Sequence, residues 1–251
     1  MTPCYPAPRR VRTLGVRVAL IANLRDERSP DMCGAGPSGR VVIDQWLRQP
    51  KERLLVPLAR GPLRGVSPTM LTIAACALGL LGAVAAAQRA YPLALGLWLA
   101  NRALDGLDGT VARAQGKQTD FGGYLDIVLD TIVYAALPFG LALGSDTRVG
   151  YLCLALLIGS FYINGVSWLY QSALLEKYQR GAAARGELTT LTIPTGLVEG
   201  TETVVFYCLF IIFPGALPAL FGAMAGLVAI TVAQRLWWAT TLGIPGGHDA
   251  H

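Results

Sequence analysis

The sequence has few charged residues and no arrangement of cysteine and histidine that is typical of a zinc site. Charged side chains make up 15% of its 251 residues, against about 25% in an ordinary soluble domain. Its five cysteines form no CxxC pair, and its two histidines lie in a glycine-rich C-terminal tail. These absences disfavour a soluble domain, a disulfide-stapled fold and a zinc centre.

Hydrophobic residues, in contrast, make up 53% of the chain and come in long blocks. Each block approaches the roughly 20 residues that a helix needs to cross a bilayer. We therefore predict an all-α, polytopic membrane protein with six transmembrane helices. The predicted spans are residues 69–87, 91–111, 121–143, 149–170, 191–213 and 216–238.

The segments outside the spans are predicted from composition. Residues 1–40, rich in Pro, Gly and Arg, are predicted to be disordered. Residues 41–66 form either a basic interfacial segment or an ordinary juxtamembrane linker. Residues 67–240 form the transmembrane domain, and residues 241–251 form a short tail. We reject a signal peptide because Arg17 interrupts the apolar stretch near the N-terminus.

Basic residues predict the orientation in the membrane. With the N-terminus in the cytoplasm, the opposite side carries only Arg89 and Arg148, which satisfies the positive-inside rule. The net charge of +5 is then explained by cytoplasmic loops, and no nucleic-acid partner is expected. Three GxxxG patterns (residues 140/144, 196/200 and 222/226) fit helix packing within one chain or a homodimer contact.

Four acidic residues lie at the facing ends of the second and third predicted spans. Asp105 and Asp108 share one helical face, and Asp126 and Asp130 share another, about 6 Å apart along the axis. A charge in the middle of a span costs about 2.5–3.5 kcal/mol, so four acids need compensation. Carboxylates without His or Cys suit Mg²⁺, Mn²⁺ or Ca²⁺. The alternative is that the acids pair with nearby cations and only cap the helices.

The residues around these acids are suited to phosphate. Gly106 and Gly109 leave room for a bulky group to approach the backbone. Arg113, one turn beyond Gly109, offers a planar fork for phosphate, and Lys117 adds a second cation. Arg102 is expected mainly to neutralise the aspartates.

The spacing D-x2-D-G-x2-A-R-x8-G-x3-D-x3-D resembles the signature of the CDP-alcohol phosphatidyltransferases. Its fixed positions here are Asp105, Asp108, Gly109, Ala112, Arg113, Gly122, Asp126 and Asp130. The resemblance covers residues 45–240, although Thr69 stands where many members have Asn after the first proline. It implies a membrane enzyme that transfers a phosphatidyl group from CDP-diacylglycerol to an alcohol and releases CMP.

The resemblance also implies roles for these residues. Asp105, Asp108, Asp126 and Asp130 would hold one or two Mg²⁺ or Mn²⁺ ions, and Asp130 would also act as the base. The pocket for the cytidine diphosphate would be lined by Asp105, Gly109, Ala112, Arg113 and Gly122. The site would face the cytoplasm, at the bacterial-type inner membrane.

The acceptor alcohol stays open at this stage. Lys117, Arg102 and the loop at 177–185 are candidates for binding a phosphorylated acceptor, whereas Glu199 and Glu202 favour a neutral or cationic one. Family frequency favours a phosphatidylglycerophosphate-type reaction. Two other functions are considered: a membrane prenyltransferase that uses a prenyl diphosphate, and a non-enzymatic transporter whose acids carry cations.

Overall fold

A computed structural model describes residues 61, 65–177 and 200–241. Within these ranges the chain is helical and contains no β-strand. The predictions for residues 1–40, 41–66 and 241–251 lie almost entirely outside the described residues. The described residues form six α-helices: α1 (Pro68–Ala87), α2 (Tyr91–Gln115), α3 (Asp120–Ser145), α4 (Arg148–Lys177), α5 (Gly200–Ile212) and α6 (Leu217–Thr241).

Four of the helices are long and apolar enough to cross a membrane: α1, α3, α4 and the stretch Pro214–Trp237 that includes most of α6. The prediction of six spans is therefore supported for four. Helix α2 has 25 residues, but it carries four charged side chains, Arg102, Asp105, Asp108 and Arg113. The described helix α5 has 13 residues, fewer than a span needs, and the predicted span begins among residues outside the described part.

Local sequence explains where α1 to α3 begin and end. Pro68 and Pro92 stand in the first turns of α1 and α2, where a missing N–H costs nothing. Gly116 ends α2 in the left-handed conformation, with φ 62°, which glycine adopts without a Cβ clash. Thr119 then caps α3, because its hydroxyl accepts a bond of 3.0 Å from the Gly122 N–H.

Helix α1 packs closely against both α2 and α3 because small residues face each other. A Cβ atom on Gly140 or Gly144 of α3 would overlap the α1 backbone at Ala83 or Ala86. The GxxxG pattern at 140/144 is thus used for packing inside one chain. At Gly222 and Gly226 a Cβ would meet nothing within 4 Å.

An aromatic group joins the helices at the centre. Trp98 of α2 stacks on Tyr207 of α5 with ring centroids 4.9 Å apart, and both side chains are fully buried. Phe210 of α5 meets Phe221 of α6 edge-on, also at 4.9 Å. Large apolar side chains elsewhere point outward, particularly on α4, as expected of helices whose solvent is lipid.

Candidate metal and diphosphate site

The α2–α3 hairpin places the acidic residues opposite one another. Only residues 116–119 separate the two helices, and such a short connection makes them antiparallel neighbours. Asp108 lies seven positions before the end of α2, and Asp126 lies six positions after the start of α3. The acids therefore meet near the end of the bundle where the hairpin turns.

Three of the four aspartates form one cluster. Asp105, Asp108 and Asp126 each offer a carboxylate oxygen, and these oxygens lie within 4.8 Å of one another. The Oδ1 atom of Asp126 is buried and has no hydrogen-bond partner. An orphaned buried carboxylate oxygen beside two others fits a divalent cation, because oxygen ligands are those that Mg²⁺ and Mn²⁺ prefer.

Asp108 is held in place by two donors. The Thr72 hydroxyl of α1 donates a hydrogen bond of 2.7 Å to Asp108 Oδ2, and the Gly109 N–H donates to Oδ1. Asp108 is only 6% exposed. Donors of this kind fix the rotamer of a ligand before a metal arrives.

The fourth acid, Asp130, is bound instead to Arg102. The guanidinium donates from NH2 to Asp130 Oδ1 at 2.6 Å and from NH1 to Oδ2 at 3.2 Å. It also lies 3.5 Å from Asp105 Oδ2. Arg102 thus neutralises aspartates, as the sequence indicated, and it does so from a position where its side chain is 10% exposed.

The other residues of the sequence pattern differ in their burial and in the contacts they make. Arg113 is exposed at the end of α2, and its NH2 donates to Thr110 Oγ1 at 3.3 Å. A Cβ on Gly109 would lie 3.4 Å from Arg113 NH1, so this glycine leaves space beside the guanidinium. Gly122 serves the N-cap of α3, and Ala112 is half-buried. Their diphosphate-binding roles stay predictions.

The acceptor-binding predictions are not tested by the geometry. Lys117 is exposed in the α2–α3 turn, and Glu202 is half-buried in the first turn of α5. Glu199 and most of the 177–185 loop lie outside the described residues.

Sequence reasoning missed two residues of the site, Thr72 and Tyr134. Thr72 lies one turn after Pro68, at the start of α1. The Tyr134 hydroxyl accepts a bond of 2.9 Å from Arg102. Tyr134 follows Asp130 by four residues, so the shared helical face was a signal that could have found it.

The model of one protein family, CDP-alcohol phosphatidyltransferase, matches residues 65–243. The chain belongs to this family. It is therefore an enzyme, a transferase of phospholipid biosynthesis, and the prenyltransferase and transporter alternatives are wrong.

Individual relatives agree with this assignment. The inner membrane protein YnjF of Escherichia coli is 35% identical over 173 residues, which are 69% of this chain and 82% of that protein. Archaetidylinositol phosphate synthase of Pyrococcus horikoshii is 34% identical over 164 residues, 64% of this chain and 83% of the relative. With an inner-membrane relative and its apolar helices, the chain is an integral membrane protein.

Solved structures show the same fold. Phosphatidylinositol phosphate synthase of Mycobacterium tuberculosis with CDP-DAG bound has a TM-score of 0.56 and 25% identity, over 79% of this chain and 98% of that one. The same synthase in complex with manganese and citrate is 24% identical, with a TM-score of 0.56 over 76% and 91% of the chains. No relative named here supports the phosphatidylglycerophosphate-type expectation, which we abandon.

Proposed function

We propose that the protein transfers the phosphatidyl group of CDP-diacylglycerol to an inositol phosphate and releases CMP. The observation that carries the reaction type is the three-aspartate cluster with its orphaned Asp126 oxygen. The names of two relatives support the acceptor class, because archaetidylinositol phosphate synthase and phosphatidylinositol phosphate synthase are both named for products that contain inositol phosphate.

Asp105, Asp108 and Asp126 would hold the divalent ion, which we propose to be Mg²⁺ or Mn²⁺. When bound, the ion would neutralise charge on the diphosphate as the leaving CMP departs. Arg113 would bind a diphosphate oxygen, and the exposure of its guanidinium beside Gly109 supports this role.

Asp130 would take the proton of the acceptor hydroxyl. The hydroxyl oxygen then attacks the phosphorus that carries the diacylglycerol, and the bond from this phosphorus to the CMP oxygen breaks. The proton ends on the Asp130 carboxylate, and the electron pair leaves with CMP. Arg102 holds both oxygens of Asp130, so the base is oriented before the acceptor binds.

The reaction would take place at the cytoplasmic surface. The hairpin end with the aspartates also carries Arg113 and Lys117, and α4 ends at Lys177. The diacylglycerol tails can stay in the bilayer while the diphosphate reaches the end of the helices. The positive-inside rule supports this orientation.

A CMP-release assay on purified protein tests the proposal. CDP-diacylglycerol is supplied with inositol phosphate, free inositol or glycerol 3-phosphate, each with Mg²⁺, Mn²⁺ or EDTA. We expect release that requires the divalent ion and is fastest with inositol phosphate. If CMP release were fastest with glycerol 3-phosphate, inositol phosphate would not be the acceptor. If CMP were released in EDTA, the reaction would not require a divalent ion.

Two variants test whether CMP release depends on the aspartate cluster. Asp105→Asn removes one carboxylate from the cluster and should abolish CMP release. Asp120→Asn changes an exposed acid in the first turn of α3, so it should behave like the unmodified enzyme. Equal activity of the two variants would contradict the site.

A further inference from the structure

Arg102 of α2 contacts one acid from each helix of the α2–α3 hairpin. Its NH1 lies 3.5 Å from Asp105 Oδ2 on α2. On α3, the two Asp130 oxygens accept hydrogen bonds from NH1 and NH2 at 3.2 and 2.6 Å. The Arg102 side chain is 10% exposed, so water weakens these charge interactions less than it would at a surface. The chain itself therefore supplies a positive charge to two of the four acids.

Other contacts hold the guanidinium in place. Nε donates to Asn101 Oδ1 at 2.7 Å, and the Asn101 amide donates at 2.7 Å to the Ala75 carbonyl of α1. The guanidinium carbon lies 4.8 Å from the centre of the Trp98 ring and 4.9 Å from that of Tyr134, which are cation–π distances. Arg102 is thus fixed by groups on α1, α2 and α3, whereas an exposed cation could turn away into solvent.

A fixed cation at this place has two opposing effects on the acids. It attracts Asp105 and Asp130 and so offsets part of the repulsion among the carboxylates. It also repels a divalent ion bound to the same carboxylates, because like charges a few ångströms apart raise the free energy. Asp105 belongs to the group whose oxygens lie within 4.8 Å of one another, so an ion held by that group would share an acid with Arg102.

We propose that Arg102 is a positioning residue that orients Asp105 and Asp130 and, as a permanent cation, keeps the affinity of the site for divalent ions low. Its charge lowers the affinity, and its planar fork sets the orientation of Asp130. The proposal deepens the proposed function, on which it rests for the role of Asp130 as the base.

Mn²⁺ binding tests the effect of the charge without depending on turnover. Electron paramagnetic resonance of substrate-free protein in nanodiscs measures free Mn²⁺ during a titration and gives the concentration at half-saturation, whatever the number of ions. We expect Arg102→Met to lower that concentration about tenfold, because a like charge near the ion is removed. A merely structural role would instead weaken binding, so unchanged or weaker binding in Arg102→Met would overturn the proposal.

Arg102→Lys separates the charge from the fork. Lysine keeps the positive charge but cannot donate to both Asp130 oxygens in the same plane, so Mn²⁺ half-saturation should stay within about twofold of the unmodified protein. At saturating Mn²⁺, kcat for CMP release should fall about 100-fold in both Arg102→Lys and Arg102→Met, the effect of a misplaced catalytic group. Mn²⁺ binding as tight in Arg102→Lys as in Arg102→Met would show that the charge does not set the affinity. Unmodified kcat in Arg102→Met would contradict the positioning role.

Two further variants complete the test. If Arg102→Met does not fold, Arg102→Gln removes the charge while keeping a hydrogen-bond donor, and it should also bind Mn²⁺ about tenfold more tightly; unchanged binding would overturn the proposal. Arg148→Met removes an exposed cation at the start of α4 and is the matched control, with binding and kcat like those of the unmodified protein. If the unmodified protein releases no CMP, the proposed function fails, while the comparison of Mn²⁺ affinities still decides the effect of the charge.

Discussion

Removing one acid of the cluster should have opposite effects on stability and on metal binding. Two unit charges 4.8 Å apart, the limit for the three oxygens, repel by about 3.5 kcal/mol at an effective dielectric constant of 20. Asp126 takes part in two of the three pairs, so Asp126→Asn removes at least about 7 kcal/mol of repulsion at this dielectric constant. Since Arg102 and water already offset most of it, we expect the metal-free protein to gain about 1–2 kcal/mol.

Magnesium should make the unmodified protein more stable than Asp126→Asn, the reverse of the order without metal. A ligand present at 100 times its dissociation constant stabilises the folded state by about 2.7 kcal/mol. The unmodified protein should gain this amount, and Asp126→Asn should gain almost nothing because a ligand is missing. Unfolding can be followed with a thiol-reactive dye, because Cys76 is buried and reacts once the chain opens.

The matched control is Asp120→Asn, an exposed acid on the same helix outside the cluster. It should keep the full response to magnesium. If Asp126→Asn also kept that response, the three aspartates would not be the metal site. If Asp126→Asn were less stable than the unmodified protein when both are free of metal, the repulsion argument would be wrong.

Three further changes test other parts of the site and fold. Thr72→Val removes the hydroxyl bonded to Asp108 and should weaken magnesium affinity about tenfold, measured as the concentration that gives half-maximal thermal stabilisation; an unchanged midpoint would refute the anchoring. Asp130→Asn should lower CMP release at least about 100-fold yet keep the magnesium-dependent stabilisation, whose loss would place Asp130 among the metal ligands. Gly140→Ala should lower the free energy of unfolding by about 1–3 kcal/mol in thermal denaturation, because its Cβ overlaps the α1 backbone; Gly222→Ala, in open space, is the control and should cost nothing.

The bounds of the helices were predictable where a local signal marks them. The first span was predicted to start at residue 69, and α1 begins at Pro68, because a proline favours the first turn. The second span was predicted to end at residue 111, but α2 continues to Gln115, where Gly116 provides the cap. The predicted end differs from the observed one because apolar content indicates only the part of a helix that lies in lipid. The hydrogen-bonded helix can continue beyond that part.

The separation of Asp130 from the other acids was not predictable from spacing. Asp126 and Asp130 are four residues apart and share a helical face, so the sequence makes them equivalent. They differ because Arg102, on another helix, reaches one and not the other. That depends on the rotation and separation of α2 and α3, which tertiary packing determines.

Helix packing and site geometry depend on the same small residues. A Cβ on Gly79 of α1 would overlap Val133 of α3 and lie 3.2 Å from the Asn101 amide of α2. This glycine therefore lets α1 approach both helices, and the approach puts Thr72 within hydrogen-bond distance of Asp108. A larger residue at position 79 would force α1 away, although no polar contact of the site involves Gly79 itself. The positions of the aspartates therefore depend on the close approach of three helices at small residues such as Gly79.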